Sequence, residues 1–224
     1  MTTDLYHFGD QCAPGIIIDD ILKQKKKKLF MLAVYLFNDI LKYLTDNELE
    51  SIYDKQYFKL EKSVVHTKYN FIFNHDYQIR NNKIHNYDHI KNRFNDKIND
   101  FKNMLENNNT KIFITFTGNI DALYINEMME CLNNLIKNKK FYLIIFSDNA
   151  FTELNIENVF KIKLDNKYDN WWVFDKNKKM ILYKEIYTKF INVLTNNNIP
   201  NNFPKTIEQT NFSTDKDKMG MFRV

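Results

Sequence analysis

Reactive side chains are scarce in this chain: two cysteines and five histidines in 224 residues. Cys12 stands in the segment Phe8-Gly9-Asp10-Gln11-Cys12-Ala13-Pro14, ahead of apolar residues at helical spacing, Ile17, Ile18, Ile21 and Leu22. A thiol at a helix N-terminus faces unpaired backbone N–H groups and the positive end of the dipole, which stabilise thiolate and depress its pKa from about 8.5. Such a nucleophile needs a histidine as base and a polar group to orient the far ring nitrogen. The alternative is a small buried apolar residue, the common fate of a free cysteine.

His75 closes the run Tyr69 to His75, on one strand face with Phe71 and Phe73. Without Cys12 it reads as a histidine at the core edge, hydrogen-bonded to a neighbour. Asp76 follows it, but successive strand side chains point to opposite faces. The two form a dyad only if the strand ends there and the chain turns; otherwise Asp148 or Asp121 is better placed to orient the ring.

Other groupings read as structural. His85 and His89 lie four apart with Asp88 between them, a spacing that can bind metal, yet no Glu follows the first His as a zincin requires and no cysteines cluster nearby. They are read as a surface pair, and no metal or other cofactor is expected. Lys23 to Lys28 reads as the solvated end of a helix, where cations are favoured. Trp171 and Trp172 read as packing residues. A sugar- or nucleotide-binding transferase would fit the α/β pattern, but the chain has no Gly-rich phosphate loop and no Asp-x-Asp motif.

The elements that must position these residues follow from periodicity. Strands are expected at Leu5 to Phe8, Tyr69 to His75, Lys111 to Thr117, Phe141 to Phe146 and Val159 to Leu164. Helices are expected from about Pro14, then over Leu29 to Leu44, Asn47 to Lys59, Tyr87 to Leu105, Ile120 to Asn138 and Tyr183 to Leu194. Strands alternating with long helices predict an α/β domain whose central sheet, about five strands, is mainly parallel with flanking helices. Residues 1–199 would form that single domain, and 200–224 a polar, loosely held tail. Ligands of such sheets collect beyond the carboxyl ends of the strands. That rule selects Gly9, Asp10 and Cys12; His75 and Asp76; Gly118, Asn119 and Asp121; and Ser147, Asp148 and Asn149.

Composition narrows the class. Hydrophobic residues make up 44% and charged residues 27%, the balance of a globular chain. Thirty-two Lys and Arg against 28 Asp and Glu leave +4, too little to argue for nucleic acid. Cys12 and Cys131 are far apart in sequence and nothing marks them as a disulfide framework, so a reducing, intracellular setting fits better. The first ten residues show no secretory signal, and the apolar stretch Leu29 to Phe37 is well short of the roughly 20 residues of a membrane span. A soluble protein of unknown oligomeric state is expected. Asn and Lys are spread through every segment and read as nucleotide bias in the genome.

These residues bear a resemblance. Phe8-Gly9-Asp10-Gln11-Cys12 before an apolar helix resembles the opening Leu-Gly-x-x-Cys of a papain-like cysteine peptidase family known as a domain of unknown function. Phe71-Ile72-Phe73-Asn74-His75-Asp76 is similar to its Phe-x-His-Asp segment, and Lys91-Asn92-Arg93-Phe94 to its Arg-bearing helix. The match covers most of residues 5–175, and the Asn- and Lys-rich style resembles members encoded by large DNA viruses. Leu36-Phe37-Asn38-Asp39 departs from the family's Pro-Phe-Asp-Trp block. The resemblance implies Cys12 as nucleophile and His75 as base, acting on a peptide or acyl group, and Asp76, or failing it Asp148, would orient the imidazole. Gly9, Asp10, Arg93 and Asp148 would bind substrate, Arg93 through a carboxylate unless it pairs with one on its own helix. It also implies an α+β papain-like fold as the alternative to the parallel sheet. The competing reading is an inactive binding or structural protein, such as a virion or host-interaction component.

Overall fold

In the computed structural model, which describes residues 3–9, 37–73, 77–117, 122–137, 139–147, 155–165, 175–201 and 203, apolar strands alternate with amphipathic helices. In chain order these are β1 (Thr3–Gly9), α1 (Phe37–Asp46), 3-10 segments at Leu49–Tyr53 and Lys55–Tyr57, β2 (Phe58–Leu60), β3 (Val64–His66) and β4 (Phe71–Phe73). The hairpin β5 (Ile79–Arg80) and β6 (Lys83–Ile84) leads to α2 (Tyr87–Glu106), β7 (Thr110–Phe116), α3 (Ala122–Ile136), β8 (Phe141–Ser147), β9 (Val159–Lys163) and α4 (Lys176–Asn196).

The central sheet has the order β1-β7-β8-β9, and every pairing in it is parallel. Its middle strands, β7 and β8, are buried along their whole length, which is why they lack polar alternation. Tyr6, Phe8, Phe113, Leu143 and Ile145 share one core with residues of α1, α2 and α3. Ile112, Ile114, Tyr142 and Ile144 share the other core with Leu182, Tyr183, Ile186 and Phe190 of α4. Helices therefore cover both faces, as parallel pairing requires. Among the described residues no helix is long and apolar enough to cross a membrane.

Two expectations need correcting. The parallel sheet has four strands, not five, because β4 belongs to a separate antiparallel sheet of order β2-β3-β4. Only Thr67 to Asn70 join β3 to β4, far short of the dozen or more residues that a parallel crossover needs. The burial of β4 agrees, since Phe71 and Phe73 point inward while Ile72 is exposed, the one-sided pattern of an antiparallel strand. The helix expected at Asn47 to Lys59 is replaced by the 3-10 segments and β2. There the Asp54 carboxylate accepts hydrogen bonds from the backbone N–H and the side-chain amide of Gln56, at 3.0 and 2.6 Å, the local competition by which Asp disfavours helix interiors.

Helix α4 starts earlier than its apolar spacing predicts, because Asp175 caps it by accepting from the Lys178 N–H at 2.9 Å. Phe203 packs on Phe190 at 5.5 Å, and Thr3 Oγ1 donates to the Pro200 carbonyl at 2.7 Å. Residues 204–224 lie outside the described residues.

Candidate functional site

At the carboxyl edge of the parallel sheet three strands end level. Gly9 of β1 stands opposite Phe116 of β7, and Phe116 opposite Phe146 of β8. The ladder runs on past the strands, with the Thr117 N–H donating to the Phe146 carbonyl at 3.0 Å and the Leu164 N–H to the Ser147 carbonyl at 2.7 Å. Neighbouring strands are spaced about 4.8 Å apart, so the tips of β1 and β8 are separated by about 10 Å. Asp10 and Cys12 follow β1 in the chain, Gly118, Asn119 and Asp121 follow β7, and Asp148 follows β8. The strands leading to Cys12 and to Asp148 thus share one edge, where helix N-termini and loops are free to meet a ligand. Asp10, Cys12, His75, Asp76, Asp121 and Asp148 themselves lie outside the described residues.

The strand leading to His75 is not part of that edge. It is β4, an outer strand of the antiparallel sheet. Both sheets feed one core: Phe8 stacks on Phe113 at 5.1 Å, and Phe73 meets Phe94 edge-on at 5.6 Å. Arg93 is half-buried on α2, immediately before Phe94. The helix turn carrying Arg93 and the strand preceding His75 are therefore held together, while Gly9 stands on the edge that leads to Cys12.

The second thiol is built for inertness. Cys131 is buried on α3 and accepts a hydrogen bond from Thr45 Oγ1 at 3.7 Å. Burial raises its pKa above the ordinary thiol value, with the Thr45 bond opposing, so thiolate is scarce at neutral pH.

Two of the buried ionisable groups give no signal in the sequence. Lys111, at the opposite edge of the sheet, has a buried ammonium that donates to the Asn107 carbonyl (2.9 Å), Asn107 Oδ1 (3.2 Å) and the Asn109 carbonyl (2.9 Å). Burial lowers its pKa and the Asp4 charge counters this. With Lys139, which donates to the Leu105 and Glu106 carbonyls, it satisfies acceptors at the carboxyl end of α2, where cations are favoured. The other group is His66, buried on β3 between tyrosine rings. A three-residue strand is too short to show alternation, and a lysine inside an apolar run reads as a strand end.

No group of three His, Cys, Asp or Glu side chains that could hold a metal ion occurs among the described residues. His85 Nε2 lies 3.3 Å from the Arg80 carbonyl, a contact within the β5–β6 region. No family model matches the chain, and no curated protein or solved structure matches it.

Proposed function

We propose that this chain is a cysteine-dependent hydrolase or acyl transferase acting on a peptide or other acyl-group substrate. The Cys12 thiolate attacks the substrate carbonyl, its proton having passed to His75. Backbone N–H groups of the Gly9 to Ala13 turn stabilise the tetrahedral oxyanion. Collapse of that intermediate forms a thioester, and His75 gives its proton to the leaving group. Water, or another acceptor activated by His75, then releases the acyl group and restores the thiol. Asp76 orients the imidazole, with Asp148 as the alternative, and Arg93 binds a substrate carboxylate. Such chemistry needs no cofactor, and a papain-like peptidase of large DNA viruses, acting in the host cytoplasm or the virion, is the finer reading that the resemblance supports.

The observation that carries the proposal is the end of β1. Gly9 closes the strand on the carboxyl edge of a parallel sheet, three positions before Cys12 and level with the tip of β8, after which Asp148 follows. One observation favours the second reading, a catalytically inactive binding or structural protein: β4, which leads to His75, lies in a different sheet from β1.

A thiol-reactive probe at neutral pH separates the two. Rapid labelling of Cys12, slowed in His75→Ala and lost in Cys12→Ser, is expected for the enzyme. Equally slow labelling of Cys12 and Cys131, insensitive to His75→Ala, would leave the binding protein.

A further inference from the structure

His66 is fully buried, 0% exposed, and its surroundings fix its chemistry. Nε2 lies 2.8 Å from the Ser51 carbonyl of the first 3-10 segment. A carbonyl only accepts, so Nε2 carries the hydrogen and the neutral ring presents a bare lone pair at Nδ1. Nδ1 is buried without a hydrogen-bond partner. The ring is stacked on Tyr69 at 5.1 Å, tilted against Tyr57 at 5.3 Å and flanked by Phe58 and Phe71 at 5.9 and 6.2 Å. A proton added at Nδ1 would place a cation among buried aromatic rings, an arrangement that a buried site disfavours strongly.

The charges around this box are committed elsewhere. The Lys68 ammonium lies 5.7 and 5.0 Å from the Tyr57 and Tyr69 ring centroids and pairs with Asp46 at 3.1 Å and Glu48 at 2.7 Å. Glu50 is taken up by Lys102, and Asp54 by the N–H groups of Gln56. Tyr69 Oη donates to Asp46 at 3.0 Å, and Tyr43 Oη to the Leu49 carbonyl. Burial pushes the His66 pKa below the ordinary histidine value; the Ser51 bond, a bond to the residue's own backbone and Asp54 act against this, and Lys68 adds to it.

We propose that His66 is a proton-sensitive latch, which in its neutral form ties the segment Leu49–Tyr57 to the three-stranded sheet and on protonation releases that segment and loosens β4. His66 pairs directly with Phe71 in the β3–β4 register, so release reaches the strand that leads to His75. The latch rests on the geometry of described residues alone, and only its bearing on catalysis depends on the role proposed for His75.

Amide hydrogen exchange with ring-proton titration of the full chain tests it. Protection factors in Leu49–Phe73 should fall by up to about 30-fold from pH 7.5 to 5, the ceiling set by a free histidine value near 6.5, while β7 and β8 stay protected. His66→Gln keeps an N–H donor for the Ser51 carbonyl but cannot take up a proton, so its protection should not change with pH. A fall that persists in His66→Gln, or unchanged protection in the parent chain, would overturn the latch. Should the variant fail to fold, the titration decides: a His66 ring titrating at or above 6.5 in the parent chain would sink the proposal. Neither readout uses catalysis, so an inactive Cys12 would leave the result untouched.

Discussion

Phe73 packs edge-on against Phe94 with ring centroids 5.6 Å apart, and this contact fastens β4 to the middle of α2. Both rings are buried, so Phe94→Ala removes a large side chain and leaves a cavity under β4. The expected loss is about 3–5 kcal/mol, read as a lower denaturant midpoint with unchanged slope. If β4 also positions a catalytic base, a milder Phe94→Leu variant should slow probe labelling of Cys12 while the chain remains folded. Labelling at the parent rate in folded Phe94→Leu would separate the packing role from any role in the site.

Cys131 offers an internal control. Buried and bonded to Thr45, it should resist alkylation in the folded protein and react at the rate of a free thiol only in denaturant, as mass spectrometry of the modified peptides would show. Thr45→Val removes the donor but not the burial, and burial is the larger influence on this thiol. The variant should therefore stay protected. Rapid native-state alkylation would mean that α1 and α3 separate readily.

How much of this was legible in the sequence depends on which force shaped each element. β7 and β8 are buried on both faces and wrote that into continuous apolar runs; α2 is buried along one stripe, and its buried Ile90, Phe94, Ile98 and Phe101 keep helical spacing. The small sheet left little trace, because three-residue strands owe their pairing to turns. Those turns give some of the chain's many asparagines a structural role. Among the described residues seven non-glycine positions have positive φ, and all but Lys137 are asparagines: Asn47, Asn70, Asn81, Asn82, Asn158 and Asn198. In a chain with four glycines, asparagine takes the left-handed positions that glycine usually fills. Of the candidate site, the sequence located the strands that its residues follow in the chain. It could not show that β4 stands apart from the parallel sheet, since the polar alternation of Tyr69 to His75 fits a half-covered strand in either setting.

The β5–β6 hairpin makes the role of asparagine testable. Arg80 pairs with Lys83, leaving Asn81 and Asn82 at φ 49° and 55° as a two-residue loop, the backbone of a type I′ turn. Asn82→Gly should be neutral or raise stability by a few tenths of a kcal/mol, since glycine meets no steric penalty there. Asn82→Val should lower it by about 1–2 kcal/mol. Thermal melts of the two variants would check this, and equal melting temperatures would show that the turn bears little on global stability.

The acid side of the unfolding profile should include two limbs of different origin. His66 has its folded-state pKa lowered from 6.5, so the unfolded chain binds more protons below that value. Its contribution is intact above 6.5 and is lost as pH falls from there toward the folded value. Glu50 is held below 4.5 by the hydrogen bond from Lys102, against some desolvation. Its contribution is present above 4.5 and is lost as pH falls below it. Both side chains of the Glu50–Lys102 pair are about half exposed, at 53% and 44%, so that limb should be small, under about 1 kcal/mol, and weakened by salt. The His66 limb should be insensitive to salt and absent in His66→Gln; the Glu50 limb should vanish in Lys102→Met. Urea titrations at pH 7.5, 5.5 and 4, at low and high ionic strength, would resolve them. A profile flat between 7.5 and 5.5 would show that the imidazole gains a proton without disturbing the ring box around it.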